Sequence, residues 1–436
     1  MSDHRRERFS GTLFGTSAPE KVGDFRSDFQ RDCDRILYSG AFRRLAVITQ
    51  VVSPAGGHAF HNRLTHALKV AQVGRRIAEK LNTSENAELT KKLGGLDPSV
   101  VEAAGMAHDL GHPPFGHIAE EELDARLRDV KESDGYEGNA QSFRIVTRLE
   151  TRESGREKGS LGLNLTRATL NALLKYPRMR SQESVNGHEK FGAYRSETAQ
   201  FEFARKQSTG DSPCLEAQIM DWADDITYAV HDLEDFYRAR MIPLDRLSKS
   251  KDEIKSFLTA MVSRLKGKIK PEEEQSYEDA ATRFLSFCPV SEAYSGRRTQ
   301  QVALRGFASS IIHDAICGAT LCETGLVRPA KSDREVTILK QLTWHYVIED
   351  SRLATEHHGQ RTVIGRLFKI FSDAAAERAK WKIFPPALQE QLQDQTSSPA
   401  RTAADYIASM GERRALDLYC ELMGTSLKPV TTGAAL

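Results

Sequence analysis

No stretch of this 436-residue sequence reaches the roughly 18 apolar residues that a membrane-spanning helix needs. The opening MSDHRRERFSG holds no apolar signal core. Disulfide chemistry has little to work with: the six cysteines (33, 214, 288, 317, 322 and 420) form no CxxC pair and follow no regular spacing. That argues against a disulfide scaffold and against a cysteine zinc site. Charge of one sign is missing too. With 61 Lys+Arg against 60 Asp+Glu the net charge is +1, so no global field calls for a nucleic-acid partner. The phosphate-cradling pattern G-x-x-x-x-G-K-[ST] does not occur, which leaves no sign of the ATPase mode that releases a γ-phosphate. Strand-like alternation is scarce. The expectation is a mainly α protein of the cytoplasm with no membrane partner.

Helical periodicity fills the space. RLTHALKVAQVGRRIAEKL sets His66, Val70, Val73, Ile77 and Leu81 on one helix face. DPSVVEAAGMAHDLG reads as a helix capped by Asp97, with Pro98 in its first turn and Gly111 at its stop. A long run opens after Pro213, and VTILKQLTWHYVIEDSRLATEHH reads as another. ESGREKGSLGL reads as a surface insertion, and the charged stretch from Ser248 to Ala280 as amphipathic helix with a solvated face. QEQLQDQTSSPA reads as a linker before a last helix, AADYIASMGERRALDLYCEL. The expected layout is a flexible segment over 1–25, a core over 26–390 and a C-terminal linker and helix over 391–436 that packs on the core.

Histidine is unevenly spread. Of 13, six lie between residues 58 and 117: His58, His61, His66, His108, His112 and His117. Clustered imidazoles beside a carboxylate suit a divalent transition metal, or a hard cation with phosphate. His108 and Asp109 are neighbours, and neighbouring helix residues point about 100° apart, so both reach one ion only over a helix end or an irregular turn. GHPP supplies such an end. A third ligand is expected from the inward face carrying His66, and a fourth from Asp224, which forms a polar stripe with Tyr228 and Asp232 at i, i+4 and i+8. Each piece alone has an ordinary reading: a core histidine, a chance dipeptide, a surface aspartate beside Asp225.

In order, His66, His108-Asp109 and Asp224 resemble the H…HD…D signature of the HD-domain metal-dependent phosphohydrolases. DRILYSGAFRRLAVITQV, NRLTHALKVAQVGR, AHDLGHPPFGHIAEEEL, GYEGNAQSFRIVTRLE, GLNLTRATLNALLKYP, DWADDITYAVHDLED and DYIASMGERRALDLY are similar to one branch, the deoxyguanosine triphosphate triphosphohydrolases and their "like" subgroup. The resemblance implies an α-helical HD fold and a divalent ion (Mg, Mn, Fe, Co, Ni or Zn) on His66, His108, Asp109 and Asp224. It places His112 and His117 beside the scissile phosphate, with Glu120 orienting His117. Arg63 would bind phosphate together with Tyr228 and unassigned lysines. Gln50 would contact the nucleoside end, and Asp232 the sugar 3′-hydroxyl. Implied too are attack at the α-phosphorus of a deoxynucleoside triphosphate, a homo-oligomer (tetramer or hexamer) and an effector nucleotide or single-stranded DNA. Tyr346 is a candidate wall against a 2′-hydroxyl, and Arg43-Arg44 is either an effector contact or a structural salt bridge. The competing readings are an HD phosphodiesterase acting on another nucleotide or a nucleic-acid end, and a nucleotide-binding regulator.

Overall fold

The computed structural model describes residues 4–9, 23–49, 61–132, 134–150, 162–180, 189–208, 210–247, 249–349, 351–394 and 397–425. Its helices in chain order are α1 (Asp28–Leu37), α2 (Gly40–Arg44), α3 (Arg63–Leu81), α4 (Ala87–Lys92), α5 (Pro98–Ala107), α6 (His117–Asp129), α7 (Gly138–Arg144), α8 (Arg167–Ala172), α9 (Thr198–Arg205) and α10 (Leu215–Arg238). After them come α11 (Leu244–Leu247), α12 (Lys251–Leu265), α13 (Glu274–Ser286), α14 (Arg298–Gly318), α15 (Ala330–Thr343), α16 (Ser351–Ala375), α17 (Pro386–Gln393), α18 (Pro399–Ala408) and α19 (Glu412–Leu422). Among the described residues the only paired strands are β1 (Thr320–Cys322) and β2 (Gly325–Val327), an antiparallel hairpin with Leu321 opposite Leu326. The mainly α expectation holds.

Local chemistry explains the start of each key helix. Asn62 accepts from the Thr65 amide and the Thr65 hydroxyl returns to the Asn62 amide, a reciprocal cap that begins α3. Asp97 accepts from the Ser99 amide at 2.8 Å, and Pro98 at the first helical position has no N–H to lose. α3 and α5 then pack at very short range. A β-carbon built at Gly105 would lie 2.7 Å from the Ala71 Cα, so only glycine lets the two backbones come this close. That approach brings His66 up to His108. The third wall is α10, anchored by Trp222, which is fully buried with Val70, Val73 and Ile77 of α3 in the largest apolar cluster.

Two long runs are interrupted where the sequence reads as continuous. The helix through VTILKQLTWHYVIED ends at Thr343, passes through a π-helical turn at Trp344–Ile348, and resumes as α16. The last helix is two helices: the chain breaks after Ala408, and Gly411 in extended backbone opens α19. The expected linker begins inside a helix: its first five residues, 389–393, belong to α17. In the charged stretch α12 buries Phe257, Met261 and Leu265 and leaves Lys251 and Lys255 exposed, as an amphipathic face should. Of the N-terminal segment, residues 4–9 lie against the core, with Arg8 Nη1 donating to buried Asp32 at 2.7 Å. The insertion expected at ESGREKGSLGL falls almost wholly outside the described residues.

A buried ionic knot fastens the C-terminal helices to this frame. Arg144 of α7 donates to Asp405 of α18 at 2.8 and 3.0 Å and to Glu197 at 2.6 Å, and Gln141 donates to Asp405 at 2.9 Å. All four side chains are buried.

Candidate functional site

α5 ends at Ala107, and the chain from His108 to Gly116 is an irregular turn before α6 starts at His117. Its carbonyls and amides are tied by side chains. Ser142 Oγ donates to the His108 carbonyl and accepts from the Gly111 amide, each at 2.8 Å. The Tyr136 hydroxyl donates to the Gly111 carbonyl at 2.7 Å. Arg44 donates to the carbonyls of Leu110, His112 and Met410. Arg44 is therefore structural, but it grips carbonyls and not the carboxylate that the expected salt bridge needs; Arg43 is exposed. Two glycines are obligatory here. A β-carbon at Gly111 would meet the Gly138 carbonyl at 2.1 Å, and Gly116 has φ +59 beside the Arg63 guanidinium. Phe115 carries φ 70, a strained value that turns the chain back toward the site.

On this frame three donors converge. His66, His108 and Asp109 each place one ligand atom within 4.8 Å of the others, and all three are buried. Asp224 closes the group from α10: its Oδ1 lies 3.0 Å from His66 Nε2 and 3.6 Å from His108 Nε2. Asp225 points elsewhere, paired with Arg328 at 2.9 Å and with Lys340. His108 Nδ1 sits 2.8 Å from the Gly105 carbonyl, which fixes the proton there and turns Nε2 inward. That Nε2 is buried, lies 3.4 Å from Asp109 Oδ1, and has no hydrogen-bond partner among the described residues. A bare imidazole nitrogen between two carboxylates fits a divalent cation. Burial opposes charge at His108, but Asp109 and Asp224 outweigh it and push the ring up to about 9. Burial likewise opposes ionisation of Asp109 and Asp224, and is outweighed by Arg63 and His108 in one case and by Lys175 and His108 in the other. Both carboxyls sit well below their ordinary range.

Arg63 is buried and donates to Asp109 Oδ2 at 2.7 Å. His112 Nδ1 lies 3.1 Å from Asp109 Oδ1, and its ring meets the His117 ring edge-on at 5.1 Å. Burial and the Arg63 charge push His112 down to about 4, so it is neutral at physiological pH. His117 Nδ1 lies 2.8 Å from Glu120 Oε2. The carboxylate is buried while the imidazole is 66% exposed, so the ring is held at its base and open to the space above. Glu120 also accepts from the Gly138 amide at 2.8 Å and from Lys190 at 3.2 Å. Its pKa falls well below the carboxylate range: burial opposes this, and the His117 bond overcomes it.

Two of the residues expected to face a substrate, Tyr228 and Asp232, lie on α10. The Tyr228 ring stands 6.5 Å from the His66 ring, nearly perpendicular to it. Burial, then Asp232, raises the Tyr228 hydroxyl well above its usual value. Asp232 is buried, and burial, then Asp235, raises its carboxyl well above the normal range. Its Oδ2 has no hydrogen-bond partner among the described residues. Gln50 and His58 fall outside the described residues. The Tyr346 hydroxyl donates to Glu253 at 2.8 Å, so that group is already committed.

Two lysines were not singled out in the sequence. Lys175 Nζ lies 3.2 Å from Asp224 Oδ2 and 2.6 Å from Asp221. Lys190 bridges Glu120 and Glu137 at 3.2 and 3.1 Å. One flanks the His66–His108–Asp109–Asp224 cluster on the Asp224 side and the other flanks the His117–Glu120 pair. His61 and His231 form a separate stack, with rings 3.8 Å apart, beside Asp235 and Lys69.

Known proteins resemble this chain over most of its length. Residues 63–229 match the HD domain and residues 326–421 the phosphohydrolase-associated domain. A deoxyguanosinetriphosphate triphosphohydrolase-like protein of Streptomyces coelicolor is 37% identical over 422 residues, covering 92% of this chain and 93% of that one. One from Corynebacterium efficiens is 36% identical, covering 90% of each chain. Another, from Wolinella succinogenes, is 31% identical, covering 92% of this chain and 96% of that one.

Proposed function

Because the chain belongs to the deoxyguanosinetriphosphate triphosphohydrolase-like proteins, a family of HD-domain phosphohydrolases, we propose that it hydrolyses deoxynucleoside triphosphates, dGTP among them, to deoxynucleoside and inorganic triphosphate. The observation that carries this reading is the junction at Asp109 and His112. It joins a four-residue set of metal donors to a carboxylate-held histidine that stands open above it.

In this reading His66, His108, Asp109 and Asp224 hold the divalent ion. When bound, such an ion supplies Lewis-acid polarisation of the phosphate and acidifies water. The protein supplies the rest. Water attacks the α-phosphorus, the bond to the sugar 5′-oxygen breaks, and that oxygen needs a proton. In this reading His117 gives it, with Glu120 fixing its tautomer. Neutral His112 lies between the two halves of the site and donates or accepts a hydrogen bond without adding charge. Arg63, Tyr228, Lys175 and Lys190 provide donors for the phosphate chain. Asp232, whose ionisation burial opposes and which has one oxygen unpartnered, is suited to a sugar hydroxyl. We assign the protein the cytoplasm and a homo-oligomeric state; no helix among the described residues is long and apolar enough to cross a membrane.

The test is product analysis. Metal-stripped protein is incubated with each deoxynucleoside triphosphate, singly and mixed, with Mg or Mn restored. Nucleoside plus triphosphate, lost in His117→Ala, is the expected outcome. Mono- or diphosphate products would place the scissile bond elsewhere and point to a different phosphohydrolase.

A further inference from the structure

A different arrangement lies outside the donor cluster, where α3 begins. Lys69 brings its Nζ to 2.9 Å from His61 Nε2. His61 Nδ1 lies 3.0 Å from both oxygens of Asp235, and the His61 backbone amide donates to Asp235 Oδ2 at 2.7 Å. An ammonium only donates, so Nε2 accepts and the ring proton sits on Nδ1, facing Asp235. The His231 ring stacks on His61 at 3.8 Å, with 5° between the planes, and pins it from one face. Asp235 is buried, the His61 side chain is 16% exposed, and Lys69 is exposed. A nucleophile, a base and a group that orients the base therefore stand in order from solvent to interior, each within hydrogen-bond reach of the next. Besides His61, the groups that face the ammonium are His231, Glu234, Asp235 and Arg238 of α10. Partial desolvation, helped by Arg238 and opposed by Glu234 and Asp235, lowers the Lys69 pKa below the usual lysine value.

We propose that Asp235, His61 and Lys69 form a nucleophile triad that makes Lys69 a site of acyl transfer from activated acyl donors, an acyl phosphate or a thioester. The site goes beyond the phosphohydrolase reading and does not rest on it. The Lys69 ammonium gives one proton to His61 Nε2, which passes it to water. The bared nitrogen lone pair attacks the acyl carbon. The bond from that carbon to the phosphate oxygen or thioester sulfur breaks, and the leaving group takes the electron pair. The second proton leaves the nitrogen through the same imidazole, and a neutral amide remains. That amide has no good leaving group, so the reaction stops at one acyl group per site: a modification, not a turnover.

The full-length chain is treated near neutral pH with acetyl phosphate in one arm and N,S-diacetylcysteamine in the other, and acetylation of each lysine is followed by peptide mass spectrometry. Lys69 should react at least tenfold faster than Lys251 and Lys255, exposed on α12, in at least one arm, and that arm identifies the donor. His61→Phe keeps a ring to stack on His231 but has no nitrogen, and Asp235→Asn removes the carboxylate that orients the imidazole. Each should abolish the excess at Lys69 and leave Lys251 and Lys255 unchanged, which a general loss of structure would not do. A wild-type excess below tenfold in both arms, or an excess that survives both substitutions, would overturn the triad.

Discussion

Lys175→Met separates two roles that one lysine could play. Its ammonium lies 3.2 Å from Asp224 Oδ2 and 2.6 Å from Asp221, and it is only 22% exposed. Burial opposes its charge, but Asp224 and Asp221 outweigh it and hold its pKa well above normal, so it is fully protonated at neutral pH. In water-accessible protein a unit pair near 4 Å is worth up to about 4 kcal/mol. Part of that is recovered by relaxation and solvent entry once the lysine is gone. An ion bound to Asp224 meets the same ammonium as a repelling neighbour, so removing it should tighten the metal. We expect a gain in Co²⁺ affinity of about tenfold to hundredfold, which is about 1.4–2.8 kcal/mol. Methionine keeps the length of the side chain and fills much of its volume. If the ammonium also binds the phosphate chain, KM for the nucleotide should rise about tenfold or more while the metal binds better. The assays are isothermal titration of the stripped protein with Co²⁺ and steady-state kinetics at saturating metal. A metal affinity more than tenfold weaker in the variant would refute the argument, because it would mean that Lys175 orients Asp224 rather than competing for it.

Other perturbations follow from the same geometry. Glu120→Gln keeps an acceptor for the Gly138 amide but removes the charge beneath His117; kcat should fall by about 10²–10³-fold with KM little changed, and an unchanged kcat would remove Glu120 from the proton path. Glu137 is buried, and burial, then the Glu120 charge, raises its pKa to about 7 from an ordinary 4.5. The folded state therefore binds this proton more tightly than the unfolded chain, and stability is lost as pH rises from about 4.5 to about 7. Glu137→Gln should flatten that slope, gaining up to about 3 kcal/mol relative to the wild type between pH 4.5 and 7.5 in urea melts; parallel curves would contradict it. Asp405→Ala strips buried Arg144 of two hydrogen bonds and should cost about 3–5 kcal/mol of unfolding free energy, and a loss below about 1 kcal/mol would mean that Glu197 alone suffices.

Much of the site was readable from the chain because its parts leave local marks. α3 begins and ends where the apolar repeat from His66 to Leu81 says it should, since Asn62 and Thr65 form a recognisable cap. Asp97-Pro98 marks α5 equally well. The preference for Asp224 over Asp225 rests on the resemblance, in which the aspartate has a tyrosine four residues on and an aspartate four beyond; Asp225 pairs with Arg328 and Lys340. The supports were not readable. Arg44, Tyr136 and Ser142 act on backbone carbonyls and amides, and a carbonyl carries no residue-type signal. Lys175 and Lys190 are single charges in loops, and only the closing of the chain puts them beside Asp224 and Glu120. The split of the last helix had a visible cue in Met410-Gly411-Glu412, but the apolar pattern runs across it and hides the break.

The α10 helix makes this protein hard to divide. It spans residues 215–238, and one rod carries Asp224 toward the histidines and Asp221 and Asp225 toward Arg328. Arg328 also lies over the Trp222 ring, 4.9 Å from its centre. A fragment cut near residue 240 would keep every donor proposed here. It would also expose the far side of Trp222, strip Asp225 of Arg328 and Lys340, and leave Asp221 with Lys175 alone, on either side of Asp224. The smallest expressible unit that keeps this candidate site ordered should therefore extend past Lys340, although the proposed donors themselves end at Asp224.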